Sequence, residues 1–288
     1  MDTKTIQTAR DALKSAPNGV YAQKVVPKEP VKQFYSNSNT GVADVFEQSA
    51  NEGYQALFMP ELALARIGSQ DLWQNWYVTP SVRATGQTKA GAKVVVYAHV
   101  PNYLSNPANI RNTIKEGTLK NGAGAIPQDQ FDALVSQNGN GRVFVIDYDT
   151  LRKSSSEVIS VDSALEHPQT IPFLGSEATA KLYLQRHKEV YGKNIGIWHQ
   201  DDFDKKTPRG RVLFLGGIGY DGLGGVSSLG VLGGLGGGRV LGVAPEAQSV
   251  EKNSVPATLE SKVELLHNGK ALRHEGKTYI LAPEGLEL

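Results

Sequence analysis

Three strand-like runs in this chain end in side chains able to hold a metal or move a proton. His99 closes residues 93–100 (KVVVYAHV). Asp147 and Asp149 close 142–147 (RVFVID). His199, Asp201 and Asp202 close 194–199 (NIGIWH). If these strands lie parallel and adjacent, their ends share one edge of the sheet, where α/β proteins place ligands. Imidazole and carboxylate gathered there suit a divalent cation such as Zn²⁺, Mn²⁺ or Mg²⁺, which activates water or polarises a phosphoryl oxygen. His99, Asp147, Asp149, His199, Asp201 and Asp202 are therefore the candidate metal ligands. No ligand spacing demands this chemistry, and the same residues have an ordinary role: Asp forms turns and caps helices, and buried His is satisfied by the backbone.

The densest part of the set is residues 199–204 (HQDDFD), which run into Lys205, Lys206, Arg209 and Arg211. Acid and base within one loop would bridge a phosphorylated substrate between a metal and cationic side chains, which makes Lys205, Lys206 and Arg209 the candidate substrate contacts. A solvated, self-neutralising loop accounts for the same residues.

Residues 217–222 (GIGYDG) form a literal GxGxxG directly after the run 211–215 (RVLFL), with Glu246 near the distance of a ribose-binding carboxylate. A dinucleotide site needs a helix after those glycines. Residues 223–238 are too rich in glycine to supply one, at about 1 kcal/mol per Gly relative to Ala, so a chance match accounts for the motif. The stretch 216–238 reads instead as a mobile loop pinned at a few apolar contacts, either a lid or an inert surface loop. No GxSxG elbow is present, and the default roles of His167, His267 and His274 are structural.

The elements that must position these residues alternate in period. Ile6, Ala9 and Leu13 share a helical face, as do Val42, Val45, Phe46 and Ala50, which Gly53 stops. Between them, residues 25–39 read as an ordered loop or arm. Pro60 and Glu61 open a helix, and Leu72, Trp73, Trp76 and Tyr77 follow at helical spacing after Ser69 and Asp71. Helices also start at Pro107, Pro127 and Ser176, the last running to Gly192. Strands are expected over 93–100, 142–147, 194–199, 211–215 and 239–243. The chain then turns antiparallel, with Asn268-Gly269 and Glu275-Gly276 between three short runs within 260–282.

The fold class that follows is α/β or α+β: a helical N-terminal segment packed on a mixed sheet, with a C-terminal antiparallel meander. One domain over 1–288 is expected, with a helical subregion 1–78 and an α/β core 92–245. Composition narrows the chemistry. The 288 residues contain no cysteine, which excludes disulfides, thiolate metal sites and a cysteine nucleophile. A formal net charge of +1 gives no long-range field toward nucleic acid or anionic membrane. No nucleic-acid motif and no membrane-length apolar run appear, and residues 1–17 lack a secretion signal's apolar core, so a cytoplasmic protein is expected. The leading expectation is a metal-assisted hydrolase or transferase acting on a small polar substrate, phosphorylated or not. The alternative is a non-catalytic binding or structural protein whose glycine-rich segment and N-terminal arm contact other proteins, with oligomerisation one form of that contact.

Overall fold

The computed structural model describes residues 30–154, 156–217, 232 and 237–245, and, as backbone, 226–227 and three strands between 264 and 280. In chain order the elements are β1 (Val31–Ser36), α1 (Gly41–Asn51), β2 (Gln55–Ala56), α2 (Met59–Gly68), β3 (Tyr77–Gln87), β4 (Lys93–Ala98), α3 (Pro107–Lys115), β5 (Gly124–Ala125), α4 (Gln128–Val135), β6 (Val143–Asp147) and α5 (Tyr148–Lys153). They continue with β7 (Glu157–Ser160), α6 (Thr170–Leu174), α7 (Glu177–Tyr191), β8 (Asn194–Trp198), β9 (Arg209–Leu215), β10 (Val226–Ser227), β11 (Gly238–Val243), β12 (Glu264–Leu266), β13 (Ala271–His274) and β14 (Lys277–Ile280). The sequence reading takes 1–288 as one domain. The contacts divide the chain into two compact units, Met1–Glu246 and Ala247–Leu288.

In the first unit an eight-stranded sheet runs in the order β6-β4-β3-β9-β10-β8-β7, with β5 paired to β9. Every pairing is antiparallel except β10 with β8. A smaller antiparallel sheet has the order β1-β11-β2. Side chains alternate across the large sheet, so each strand feeds two cores. Val95, Tyr97, Leu213 and Leu215 face α2 and α7, through Leu62, Ala65, Tyr183 and Leu184. Val94, Val96, Val82 and Val212 face α1, α3 and α4, through Phe46, Ile110 and Phe131. The second unit is the expected closing meander, β12-β13-β14, all antiparallel. Its turns at Asn268-Gly269 and Glu275-Gly276 lie outside the described residues.

Local chemistry sets the helix starts. The Asn106 side chain accepts from the Ala108 N–H at 2.9 Å, one residue before Pro107. Ser176 Oγ accepts from the Thr179 N–H at 3.0 Å and so satisfies a free donor of α7, which Gly192 ends at φ 90°.

Several sequence expectations are corrected. Residues 31–36 of the supposed arm form β1, in register with β11 from Val31↔Val243 to Ser36↔Gly238. Leu72 and Trp73 lie in a short 3₁₀ turn, Gln70–Trp73, and Tyr77 begins a strand rather than completing a helical stripe. That strand, β3, is buried from Tyr77 to Gly86, which the sequence reading missed along with α5, α6 and β7. The helix expected around residues 6–13 lies outside the described residues.

Within 216–238, the described positions are tightly held. Val226 and Ser227 bridge β9 and β8. Leu232 is fully buried, and its N–H bonds the Gly122 carbonyl at 3.1 Å. A Cβ at Gly238 would fall 2.2 Å from the Gly41 oxygen, so these two backbones approach as closely as only glycine allows. Residues 218–222 of the GxGxxG lie outside the described residues, as do 223–225, 228–231 and 233–236 of the expected lid and Glu246. No helix among the described residues is long and apolar enough to cross a membrane.

Candidate functional site

The antiparallel order decides where the expected ligands fall. β4 and β6 pair with Val94 opposite Asp147 and Ala98 opposite Val143, so His99 and Asp147 leave the sheet at opposite edges. Following the pairings from β4 through β3, β9 and β10 to β8 shows that β8 runs with β6, so His199 and Asp201 share the edge of Asp147. The single-edge convergence expected of parallel strands is therefore broken at His99.

His99 is fully buried. Its Nε2 lies 2.8 Å from the Pro172 carbonyl, which can only accept, so Nε2 carries the proton. Nδ1 then accepts from Ser81 Oγ at 3.0 Å, and Ser81 Oγ in turn accepts from the Met59 N–H at 2.8 Å. Burial lowers its pKa to about 3, with the Arg142 charge adding to the shift and the Pro172 bond opposing it. The imidazole is a neutral tie between β4, β3 and α6.

Asp147 caps α5, accepting from the Thr150 N–H at 2.9 Å. Asp149 pairs with Arg152 at 3.2 Å, both half exposed. His199 Nε2 lies 3.3 Å from Ser154 Oγ. Asp201 accepts from the Tyr148 hydroxyl at 2.8 Å and from the Phe203 N–H at 3.0 Å. Burial, helped by the Asp201 carboxylate, pushes the Tyr148 pKa up to about 12. Among the described residues, no group of three or more His, Asp or Glu could hold a metal ion.

Asp202 has a different role. It is 1% exposed between Arg83 at 2% and Arg211 at 1%. Arg211 forks onto it at 2.5 Å and 2.8 Å, and Arg83 Nη1 reaches it at 3.2 Å while also donating to the Gln200 carbonyl at 2.7 Å. Arg211 Nη2 donates to Gln200 Oε1 at 3.2 Å and to the Asn121 carbonyl. The start of the loop between β8 and β9 is thus bolted to the sheet. Its far end is fixed by Arg209, which donates to Asp204 at 3.1 Å and to the Thr118 carbonyl. The Lys206 N–H and the Arg209 guanidinium hold the Asp204 carboxyl below its ordinary range. Arg209, expected at a substrate, is engaged in holding its own loop. Lys205 and Lys206 are exposed.

Beside the bolted loop lies a cleft of about 100 Å³. Val95 and Leu151 supply its apolar lining; Arg83, Tyr148, Arg152, His199 and Asp201 supply the polar part. Sequence reasoning found His199 and Asp201 but missed Arg83, Tyr148 and Arg152. The available signal was a lone arginine within the small and β-branched run VRAT of β3.

These features define a class: an α+β protein on a long, almost wholly antiparallel sheet, helices on both faces, with a small polar cleft beneath an anchored loop. No protein-family model matches the chain, and no curated protein matches it. A solved structure described as "Accommodation of massive sequence variation in Nanoarchaeota by the C-type lectin fold" is similar to it at 48% identity. The match covers 76% of this chain and 99% of that one, with a TM-score of 0.66. The chain belongs to this C-type lectin fold family. That finding confirms the mixed α+β class and overturns the metal-assisted hydrolase or transferase reading, since the neighbour's fold points to binding rather than catalysis.

Proposed function

We propose that this chain is a non-catalytic binding protein that recognises glycans through loop 199–208 and the adjoining cleft. The observation that carries this reading is its similarity to a C-type lectin fold described as accommodating massive sequence variation. The anchoring of the loop supports it: Asp202 and Arg209 fix the base, while Asp201, Lys205 and Lys206 are exposed. A surface built this way changes its outward residues without losing its frame. Phe203, half-buried with its ring centroid 4.7 Å from that of the buried Tyr148, adds an aromatic edge suited to the apolar face of a sugar. The glycine-rich segment and arm are secondary in this reading, because residues 31–36 of the arm are committed to pairing with β11.

A glycan array probed with the full chain, with and without EDTA, tests the reading. Saturable, EDTA-insensitive binding to a subset of glycans is expected. Absence of binding, or metal-dependent turnover of phosphate esters, would contradict it.

A further inference from the structure

Arg83 and Arg211 bring two guanidinium groups into the sheet interior, and Asp202 supplies one carboxylate. A buried charge without a partner is costly, and this trio retains one excess positive charge. The excess sits on Arg83. Its Nη1 is shared between the Gln200 carbonyl and the more distant Asp202 oxygen contact, and its Nε is buried with no hydrogen-bond partner. Arg83 also lines the cleft, with the exposed Arg152 at its rim. The cleft's own carboxylate, Asp201, forms no ion pair among the described residues and is bound by the Tyr148 hydroxyl.

Building on the glycan-binding reading, we infer that this cleft takes the carboxylate of an acidic sugar, drawn to Arg83 with Arg152 at the rim. Size and charge select that group. The cleft of about 100 Å³ is small enough to take a carboxylate and its adjoining carbon while leaving the sugar ring along the loop. Arg83 and Arg152 give the cleft a cationic side, and Asp201 in the same wall balances one of those charges, so a singly charged carboxylate fits better than a phosphate dianion. Asp201 has lone pairs left to accept from a sugar hydroxyl, which a simple carboxylate lacks.

The experiment is a titration of the ¹⁵N-labelled full chain with glucuronate, glucose, acetate and inorganic phosphate at constant ionic strength, following arginine Nε–H resonances by NMR. Glucuronate is expected to shift the Arg83 resonance saturably, more tightly than acetate and phosphate, with glucose leaving it unmoved. Arg152→Gln lies at an exposed position and should keep the fold while weakening glucuronate roughly tenfold, the scale of one charged hydrogen bond. Arg83→Lys, if folded, should lose the glucuronate response. Equal response to glucose and glucuronate, tighter phosphate binding, or an unchanged Arg152→Gln affinity would overturn the inference. Neutral glycans bound on the array without any glucuronate response here would overturn it alone; no glycan binding in either experiment would overturn the glycan reading as well.

Discussion

Arg83 and Arg211 stand directly opposite each other in the β3–β9 pair and share the carboxylate of Asp202. Like charges at facing positions repel, so the pair depends on the Asp202 carboxylate that both arginines reach. Asp202→Asn should therefore cost about 3–5 kcal/mol, the loss seen when one member of a buried ion pair is removed. Asp204→Asn, in a more exposed pair, should cost about 1 kcal/mol or less. Urea denaturation of both variants checks the contrast, and equal small losses would show that Asp202 is not the bolt described here.

His99 gives the fold a pH dependence with a defined sign. Its pKa is near 3 when folded and near 6.5 when unfolded. Between those values the unfolded chain binds a proton that the native chain excludes, so this contribution to stability is intact above pH 6.5 and lost as pH falls toward 3. The slope is about 1.4 kcal/mol per pH unit within that window. Denaturation midpoints measured across pH 3–7 should fall less steeply for His99→Gln than for the parent chain, and parallel curves would refute the assignment.

The glycines are separable by what surrounds them. An alanine Cβ at Gly238 would sit 2.2 Å from the Gly41 oxygen and 2.5 Å from its carbonyl carbon. Both are backbone atoms and cannot step aside, so Gly238→Ala should cost about 3 kcal/mol or prevent folding, the upper range for overpacking. Gly139 has φ 85° with nothing within 4 Å of a new Cβ, so Gly139→Ala should cost only about 1 kcal/mol of backbone strain. Thermal melts of the two variants decide whether close approach or backbone conformation dominates.

What could be read from the sequence followed what local patterns encode. Runs such as VVVYA in β4 and VLFL in β9 are β-branched or apolar on both faces, and both are central strands. β3 was missed because Thr79, Ser81, Arg83 and Thr85 give one face a polar look. Three of them are satisfied by distant partners, Thr79 by the Leu213 carbonyl, Ser81 by the Met59 N–H and Arg83 by Asp202, 119 residues away. Period-two alternation from 78 to 85 was the signal, obscured by Pro80 at the register shift between Val78 and Val82. Strand direction has no local signature at all. That is why the ends carrying His99 and Asp147 were expected at one edge and lie at two. Asp201 and His199 stood out in the sequence through the density of HQDDFD, as metal ligands, but the cleft they line also needs Tyr148 and Arg152 from α5, a helix too short to announce itself.

The central claim is that the anchored loop 199–208, with the cleft beside it, recognises ligand on a frame that the sheet holds in place. The most direct measurement compares the full chain with an Asp201→Ala, Lys205→Ala, Lys206→Ala variant on one glycan array, with thermal stability recorded for both. Exposed loop substitutions should leave stability within about 1 kcal/mol while removing or redirecting glycan binding. Unchanged binding by a folded triple variant would contradict the account and place recognition elsewhere on the molecule.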